Sequence, residues 1–324
     1  MTTARRSTAL FVVLLLALAG CSTGLETRPD NTTQTDEVRV GALMYARDLE
    51  FWQLVEAGMR QAAAEAGVPL HVDVSDRKLQ NESQVLDTMY ARGDNVLLVA
   101  PYDGEASAAA LRRARARGQT IVQYDERVRD ASFGYFVGVD QKALGEAVGR
   151  VAQSYLDSMF GGHAKVALLT GETESHGPPR REAFLAQATG AEVVTTAEAV
   201  GSPEKGAEAF ATVLQSHPET QLVFAWNGAA LQGAATAAAR MHSPVKIVGV
   251  DMSRRLADLL ARPDSPVLAV ADQDAYQVGY QTLRTGVALA RSQPVPPTSS
   301  VDPVIYRNGD RQALDTFYSE LDNR

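Results

Sequence analysis

Short apolar runs alternate with longer segments of helical periodicity from Val38 onward. Ten of these runs predict β-strands, and several, such as 96–100, are apolar throughout, which is typical of strands covered on both faces. The predicted strands are 38–44, 70–74, 95–100, 120–124, 135–139, 165–170, 192–196, 222–226, 246–250 and 267–271. Strand–helix–strand alternation of this kind predicts parallel sheets joined by right-handed crossovers.

The segments between the runs carry recognisable helix ends. Apolar residues of 51–66 recur on one helical face, and Gly67 predicts the end of that helix. Ser202 before Pro203 predicts a helix start, with the serine as N-cap and the proline in the first turn. Ten strands exceed the size of an average sheet, so we expect two sheets of five or six strands. The predicted fold class is α/β, with two Rossmann-like lobes, each a parallel sheet flanked by helices.

The first residues carry a separate signal. Two arginines precede the apolar run 9–19, whose length suits the hydrophobic region of a secretory signal and is short for a membrane span. The run is followed by Gly-Cys at Cys21, and this segment resembles the lipobox of bacterial lipoproteins, in which the cysteine thiol takes a diacylglycerol. These features predict a lipoprotein signal peptide at 1–20, a lipidated Cys21 and a flexible tether at 21–37.

Composition narrows the classes of function. The net charge is −8 over 324 residues, and residues 1–20 contribute two arginines and no acid. An acidic exported protein lacks the basic face that binding to nucleic acid or to anionic lipid requires. Cys21 is the only cysteine, which excludes a disulfide framework and a cysteine-based metal site. No second long apolar run follows Cys21, and the length is sufficient for two domains.

Polar and aromatic residues recur where the predicted strands end. They are Tyr45, Arg47, Asp48, Glu50, Phe51 and Trp52 after the first strand, Tyr102 and Asp103 after the third, Asp125, Glu126 and Arg127 after the fourth, and the segment 171–181, Asn227, Asp251, Asp272 and Gln273 in the second half. Each residue alone is typical of turns and helix caps. Because ligands of open parallel sheets bind outside the carboxyl ends of the strands, the recurrence in both halves predicts one shared cleft.

The residue types at these strand ends suit a sugar. Vicinal hydroxyls donate and accept hydrogen bonds at once, and carboxylate, carboxamide and guanidinium groups pair with them. The flat faces of aromatic rings cover the C–H surface of a sugar ring. A cleft that contains Asp, Asn, Gln, Arg, Phe and Trp therefore favours a small polyhydroxylated ligand.

Several short motifs, in this order, resemble one family. They are Phe51-Trp52 with Gly58, Val99-Ala100-Pro101, Gln123-Tyr124-Asp125-Glu126-Arg127, Val137-Gly138-Val139-Asp140, Arg180 with Phe184, Trp226-Asn227, Val248-Gly249-Val250-Asp251 and Gln273 with Gly279. Together they resemble the type I periplasmic binding proteins, the ribose/xylose/galactose-binding group that shares its fold with LacI-type repressor cores. The stretch 124–149 is most similar to the xylose-binding branch. In the family an arginine usually follows the aspartate at position 125, whereas this chain has Glu126 there and Arg127 one place later.

The resemblance implies two lobes joined by three hinge strands that close around one ligand. The implied lobes are 38–140 plus 273–301 and 141–272 plus 302–324, with crossovers near Asp140, Asp272 and Asp302. The resemblance also implies the ligand contacts. They are Phe51 and Trp52 against the sugar ring, Asp125 and Arg127 in the first lobe, Arg180, Asn227 and Asp251 in the second, and Gln273 at a hinge.

An enzyme is the main competing interpretation. Asp125 and Glu126 are adjacent carboxylates, but neighbouring residues of a strand point to opposite faces, so we do not expect them to converge. His163, His176 and His242 match no zinc-binding spacing, and no Gly-x-Ser-x-Gly motif occurs. We therefore predict no catalytic residue, no metal and no cofactor.

The family implies an extracytoplasmic solute-binding lipoprotein that captures a small sugar and delivers it to an ABC permease. A pentose such as xylose or ribose is favoured, and the protein is expected to be a monomer held at the cell membrane through Cys21. Two alternatives stay open. One is a binding protein that presents its ligand to a sensor kinase or a chemoreceptor, and the other is a ligand such as a nucleoside, an autoinducer or a cyclitol.

Overall fold

A computed structural model describes residues 37–130 and 132–322 of the chain. The predicted signal peptide, Cys21 and the tether apart from Glu37 lie outside the described residues. In chain order, the elements are β1 (Val40–Met44), α1 (Glu50–Ala66), β2 (Leu70–Val74), α2 (Leu79–Arg92), β3 (Val96–Val99), α3 (Ala108–Ala116), β4 (Thr120–Tyr124), β5 (Phe136–Gly138), α4 (Gln141–Phe160), β6 (Ala164–Thr170), α5 (Gly177–Gln187), β7 (Ala191–Glu198), α6 (Pro203–Ser216), β8 (Leu222–Ala225), α7 (Gly228–Arg240), β9 (Lys246–Val250), α8 (Arg254–Leu260), β10 (Val267–Asp272), α9 (Ala275–Ala290), β11 (Thr298–Ser300), β12 (Val304–Arg307) and α10 (Arg311–Asp322).

The strands form two sheets of six. The first has the order β11-β5-β4-β3-β1-β2, and the second has the order β12-β10-β9-β8-β6-β7. Every neighbouring pair is parallel except β10 with β12. We call the first sheet with α1, α2, α3 and α9 the first lobe, and the second sheet with the remaining helices the second lobe. Two helix-flanked, mainly parallel sheets confirm the predicted α/β fold class.

Both faces of the central strands are covered, which explains their continuous apolar runs. β1, β3 and β8 are buried at every residue, and alternate side chains meet different helices. Leu43 and Leu97 lie in one hydrophobic cluster, whereas Ala42 and Leu98 lie in another on the opposite face. Each fully buried leucine stabilises the fold by about 1.5–3 kcal/mol. Within the two described ranges, no helix is both long enough and apolar enough to cross a bilayer.

The chain passes between the lobes three times. It crosses between β5 and α4, between β10 and α9, and between β11 and β12. In the first sheet the strands at these crossings, β5 and β11, are neighbours at one edge, and in the second sheet the same is true of β10 and β12. The covalent connections are therefore grouped at one edge of each sheet.

Glycine permits the close crossing of α1 and α9 on the first sheet. A Cβ atom at Gly58 would stand 2.0 Å from the backbone oxygen of Tyr276, and one at Gly279 would stand 2.0 Å from the backbone oxygen of Val55. Carbon and oxygen atoms that are not bonded do not approach this closely, so the helices meet where neither carries a side chain. A Cβ atom at Gly233 of the alanine-rich α7 would likewise stand 2.0 Å from the backbone of α6.

Two of the twelve strands were not predicted. β11 and β12 have three and four residues, and their side chains are mostly exposed or half-buried, so neither contains an apolar run that would identify it. The predicted helix ends are more accurate. Gly67 ends α1 with a left-handed backbone, φ 65°, and Ser202 occupies the N-cap position of α6, although its side chain makes no capping hydrogen bond.

Substitution Gly58→Ala is expected to destabilise the protein by about 1–3 kcal/mol, because the new methyl group forces α1 and α9 apart. Urea unfolding of the variant and the parent measures the effect. Gly134→Ala is the matched control, since Gly134 is exposed and a Cβ atom there meets nothing within 4 Å. Equal stability of the Gly58→Ala variant and the parent would contradict the close crossing.

Candidate functional site

The carboxyl ends of the two sheets face each other across a cleft. Glu126, which follows β4, accepts a hydrogen bond from the hydroxyl of Ser175 in the loop after β6. Glu50, at the start of α1, accepts from the backbone N–H of Arg254 after β9, with N–O distances of 2.9 and 3.1 Å. The strand order reverses between β1 and β3 in one sheet and between β6 and β8 in the other. Ligands of open α/β sheets bind at such reversals, so this cleft is the candidate site.

Aromatic side chains line the first lobe where its strand order reverses. Tyr45 follows β1, Tyr102 follows β3, and their rings stack with centroids 5.8 Å apart. Trp52 is only 4% exposed and packs edge-on against half-buried Phe51, whereas Tyr102 is 38% exposed. The tyrosines therefore present more ring surface than the predicted Trp52. Burial raises the pKa of Tyr45, and Glu174 of the second lobe adds to this effect, so the Tyr45 hydroxyl stays protonated.

The side chain of Asp125, in the first lobe, interacts electrostatically with side chains of the second lobe. β4 ends at Tyr124, and Asp125 has a left-handed backbone with φ 61°, a strained conformation for a residue other than glycine. Burial, with smaller contributions from the charges of Glu126 and Asp251, raises the pKa of Asp125 to about 7, and the charge of Arg180 opposes this rise. These four side chains therefore belong to one electrostatic cluster that spans both lobes.

The argument that the side chains of Asp125 and Glu126 point to opposite faces of a strand does not hold in the structure. It assumed an extended strand through both residues, whereas the strand ends before them and Asp125 turns the chain. Glu126 consequently reaches the second lobe, where its Oε2 accepts from Ser175 and lies 3.5 Å from Nε2 of His176. Burial is the main cause that lowers the pKa of His176 to about 3, so its imidazole is neutral at physiological pH.

Arg180 organises the side of the cleft formed by the second lobe. It lies in α5 and is 2% exposed; its Nε donates to Oε1 of Gln141 at 2.7 Å, and its Nη1 donates to the backbone oxygen of Trp226 at 2.9 Å. The same Nη1 lies 3.5 Å from Oδ2 of Asp251. Gln273 joins this network, because its Nε2 donates to Oδ1 of Asp251 at 2.8 Å and its Oε1 accepts from Gln141 at 3.3 Å. Loss of one partner from such a buried charged pair is costly, on the order of 3 kcal/mol.

Asn227 and Asp251 follow β8 and β9. Oδ1 of Asn227 accepts from the backbone N–H of Ala230 at 2.9 Å, which makes Asn227 the N-cap of α7. Asp251 has a left-handed backbone with φ 69°, and its Oδ2 accepts from the backbone N–H of Gly228 at 3.2 Å. A carboxylate has more lone pairs than these bonds use, and the side-chain nitrogen of Asn227 carries two donors. Both residues can thus fix a loop and bind a polar ligand.

Arg127 lies on a different surface from the other predicted residues. Its guanidinium carbon stands 4.2 Å from the ring centroid of Phe136, and its Nη2 donates to Oγ1 of Thr298 at 3.2 Å. Those two partners belong to β5 and to its neighbour β11, the edge strand, and Arg127 is exposed. The structure therefore does not group Arg127 with Arg180 and Asp251.

Asp272 supports the site but is more buried than a residue that contacts a ligand. It is 5% exposed; its Oδ1 accepts from the backbone N–H of Met252 at 2.9 Å, and its Oδ2 accepts from that of Asp274 at 3.3 Å. Burial raises the pKa of Asp272 to about 7, although these hydrogen bonds favour the carboxylate. Asp272 thereby braces the loops that carry Asp251 and Gln273.

Sequence reasoning placed several side chains of the cleft at strand ends but did not select them as ligand contacts. They are Tyr45, Tyr102, Glu126, Ser175 and His176. All of them follow strands, which is the available signal, but many residues that do not reach the cleft follow strands as well. Among residues 37–130 and 132–322, no group of three or more His, Cys, Asp or Glu side chains has the geometry to hold a metal ion.

A sequence profile of the periplasmic binding protein domain matches residues 40–294, which is most of the chain. The chain belongs to the periplasmic binding protein family. This binding protein is 24% identical over 293 residues to a D-ribose/D-allose-binding protein of Pseudomonas aeruginosa, covering 86% of this chain and 90% of the relative. A D-xylose-binding periplasmic protein of Escherichia coli is also 24% identical, but over 110 residues, 34% of this chain and 33% of that protein.

The fold of this binding protein matches solved structures of the same family. An ABC transporter periplasmic solute-binding protein from Actinobacillus succinogenes, with bound D-allose, superposes with a TM-score of 0.78 at 20% identity, covering 85% of this chain and 99% of that one. The resemblance drawn from the sequence motifs is thereby confirmed. The alignment with the ribose/allose-binding relative extends further than that with the xylose-binding relative.

Substitution Asp125→Asn is expected to stabilise the protein more at pH 8 than at pH 5. Between about pH 4 and 7 the folded parent holds a proton on Asp125 that the unfolded chain has already released. The stability of the parent therefore falls as the pH rises across this range, and the loss is complete above about pH 7. The asparagine variant lacks this loss, and the gain at pH 8 is on the order of 1–3 kcal/mol. Urea unfolding at both pH values measures it. A stability difference that does not vary with pH would show that Asp125 does not titrate in this range.

Proposed function

We propose that this binding protein captures a small sugar, with a pentose favoured, in the cleft between its lobes and delivers it to an ABC permease. The observation that supports this most directly is the charged cluster in which Asp125 of the first lobe interacts electrostatically with Arg180 and Asp251 of the second, whose side chains are 3.5 Å apart. A ligand at this cluster touches both lobes at once. It therefore favours the conformation in which the lobes are close together.

The proposed ligand contacts follow from the hydrogen-bonding needs of a sugar. Asp125 and Asp251 accept from hydroxyl groups, while Arg180 and Asn227 donate to ring and hydroxyl oxygens. The stacked pair Tyr45 and Tyr102 offers an aromatic face to the C–H surface of the ring.

The remaining predicted residues lie next to the proposed ligand contacts or at the edge of the first sheet. Gln273 holds Asp251 in place, and Phe51 borders the aromatic wall that buried Trp52 supports. The edge position of Arg127 makes it the weakest of the predicted contacts.

The relatives support the class of ligand. One is named for D-ribose and D-allose, another for D-xylose, and the solved structure from Actinobacillus succinogenes contains D-allose. All three ligands are neutral aldoses with neighbouring hydroxyl groups. The cleft of this chain supplies acceptors and donors from both lobes, as such a ligand requires.

We infer a hinge at the three connections between the lobes. The proposed lobes are 38–140 plus 273–301 and 141–272 plus 302–324. Gln141 begins α4 after the first connection, and Gln273 lies in the connection between β10 and α9; their side chains hydrogen-bond each other. Movement of the hinge is therefore coupled to the network around Asp251 and Arg180. Ligand binding at Asp251 therefore acts on the hinge itself.

The membrane anchor is part of the proposal. The signal-peptide features of 1–20 and the lipobox at Cys21 support export and lipid attachment. The word periplasmic in the family description agrees with an extracytoplasmic location. A monomer tethered by its lipid at the outer face of the cell membrane is suited to carry a ligand to a permease in the same membrane.

A thermal-shift screen tests the ligand class. We expect one or more pentoses or hexoses to raise the melting temperature, because a ligand that binds only the folded state stabilises it by mass action. Nucleosides, cyclitols and amino acids complete the panel. A shift with a nucleoside and with no sugar would contradict the sugar proposal.

Substitution Asp251→Asn is expected to weaken binding of the active sugar about tenfold to a hundredfold, because a charge-assisted hydrogen bond is lost while the left-handed backbone is tolerated. Isothermal titration calorimetry measures the change. Asp264→Asn is the control, since Asp264 is exposed and pairs with Arg262 before β10, at the opposite end of that strand. Unchanged affinity in the Asp251→Asn variant would remove Asp251 from the site.

Substitution Cys21→Ser is expected to release the protein from the membrane fraction, because serine cannot form the thioether to a diacylglycerol. Fractionation of cells that express either form, followed by immunoblotting, measures the distribution. Retention of the variant in the membrane fraction would contradict the lipid anchor.

A further inference from the structure

Two carboxylates of the first lobe bond directly to the second lobe. Glu126 accepts from the hydroxyl of Ser175, 49 residues later in the chain. Glu50 accepts from the backbone N–H of Arg254, 204 residues later, through both carboxylate oxygens at 2.9 and 3.1 Å. Each bond joins residues that belong to different lobes, so neither bond is needed for one lobe to fold.

Ser175 is the hydrogen-bond donor to Glu126 from the second lobe, while the backbone N–H of Arg127 in the first lobe donates to the other carboxylate oxygen at 3.0 Å. The imidazole of His176 is neutral and hydrogen-bonds the backbone of Asp125, so it adds a second contact between the lobes. A neutral imidazole has one N–H group, and it gives Glu126 no ion pair at the 3.5 Å separation of Nε2 and Oε2. The side chains of Glu126 and His176 are each 21% exposed, whereas Ser175 is exposed, so water competes for the serine hydroxyl more than for its acceptor.

The two bonds join the lobes at different points of the cleft. Glu126 follows β4 and meets the loop after β6, whereas Glu50 follows β1 and meets the loop after β9. Separation of the lobes about the grouped connections breaks both bonds. Their combined effect is therefore to favour the closed arrangement of the lobes over the open one.

We propose that Glu126 with Ser175 and Glu50 with Arg254 form a latch between the lobes that stabilises the closed form without contacting the ligand. Glu126 and Glu50 are in this sense positioning residues. If the closed form binds the ligand, the apparent dissociation constant equals the intrinsic one divided by the closed fraction. A latch therefore changes the affinity for every ligand by the same factor, whereas a ligand contact changes the ratio between ligands.

The first experiment measures the distance between the lobes and requires no ligand. The full-length chain carrying Cys21→Ser receives spin labels at two exposed positions, through Gln84→Cys in α2 and Lys205→Cys in α6. We expect Ser175→Ala and Glu126→Gln to shift the closed-to-open ratio toward open by about tenfold, as loss of a charge-assisted hydrogen bond implies. Glu50→Gln shifts it in the same direction. Distance distributions identical to the parent in all three variants would overturn the proposal.

Controls separate the latch from general effects of substitution. Ser154→Ala and Glu146→Gln alter exposed residues of α4 and should leave the distance distribution unchanged. The double variant Ser175→Ala with Glu126→Gln should open no further than Ser175→Ala, because the glutamine substitution weakens the same bond that the alanine substitution removes. Additive opening by the two substitutions would contradict a direct bond, and urea unfolding verifies that each variant folds.

The second experiment rests on the proposed function. With two sugars from the thermal-shift screen, Ser175→Ala should raise both dissociation constants by one common factor, equal to the fall in the closed fraction found in the first experiment, and leave their ratio unchanged. A changed ratio would assign Ser175 to the ligand contacts and overturn the latch. If no sugar binds the parent, the sugar proposal fails while the distance measurement still decides the latch.

Discussion

Parallel pairing of the strands is the constraint on which the remaining structure depends. Strands that run in one direction need a crossover helix at almost every step, so both faces of each sheet become covered and the central strands must be apolar throughout. The same constraint brings the carboxyl ends of all strands except antiparallel β12 to one edge of their sheet. The loops after β4 and β1 therefore meet those after β6 and β9, in an arrangement that lets two sheets share a ligand.

A buried positive charge is the second organising element. Arg180 is 2% exposed, and it is retained because backbone and side-chain acceptors surround it on the second lobe. Through Gln141 and Gln273 the same network reaches two of the connections between the lobes. The group that is proposed to bind the ligand is thus linked by hydrogen bonds to the segments that must move when the lobes close.

Burial is the main cause that raises the pKa of Asp125 in the cleft. The charges of Glu126 and Asp251 act in the same direction, and the charge of Arg180 opposes them. Both Asp125 and Asp251 also adopt strained left-handed backbones. Strain and unfavourable charge at one place are typical of functional sites, where the surrounding packing maintains a geometry that the local sequence does not favour.

The sequence by itself determined the α/β class, ten of the twelve strands and the position of polar residues at strand ends, because runs of apolar side chains and turn-forming residues act locally. It did not identify β11 and β12, which are short and poorly buried, or the turn at Asp125 that brings Glu126 to the second lobe. It also favoured Trp52 over Tyr45 and Tyr102, although these present more ring surface. Only the tertiary structure decided these points, since the exposure of a ring and the partner of a carboxylate depend on how two sheets, distant in sequence, pack against each other.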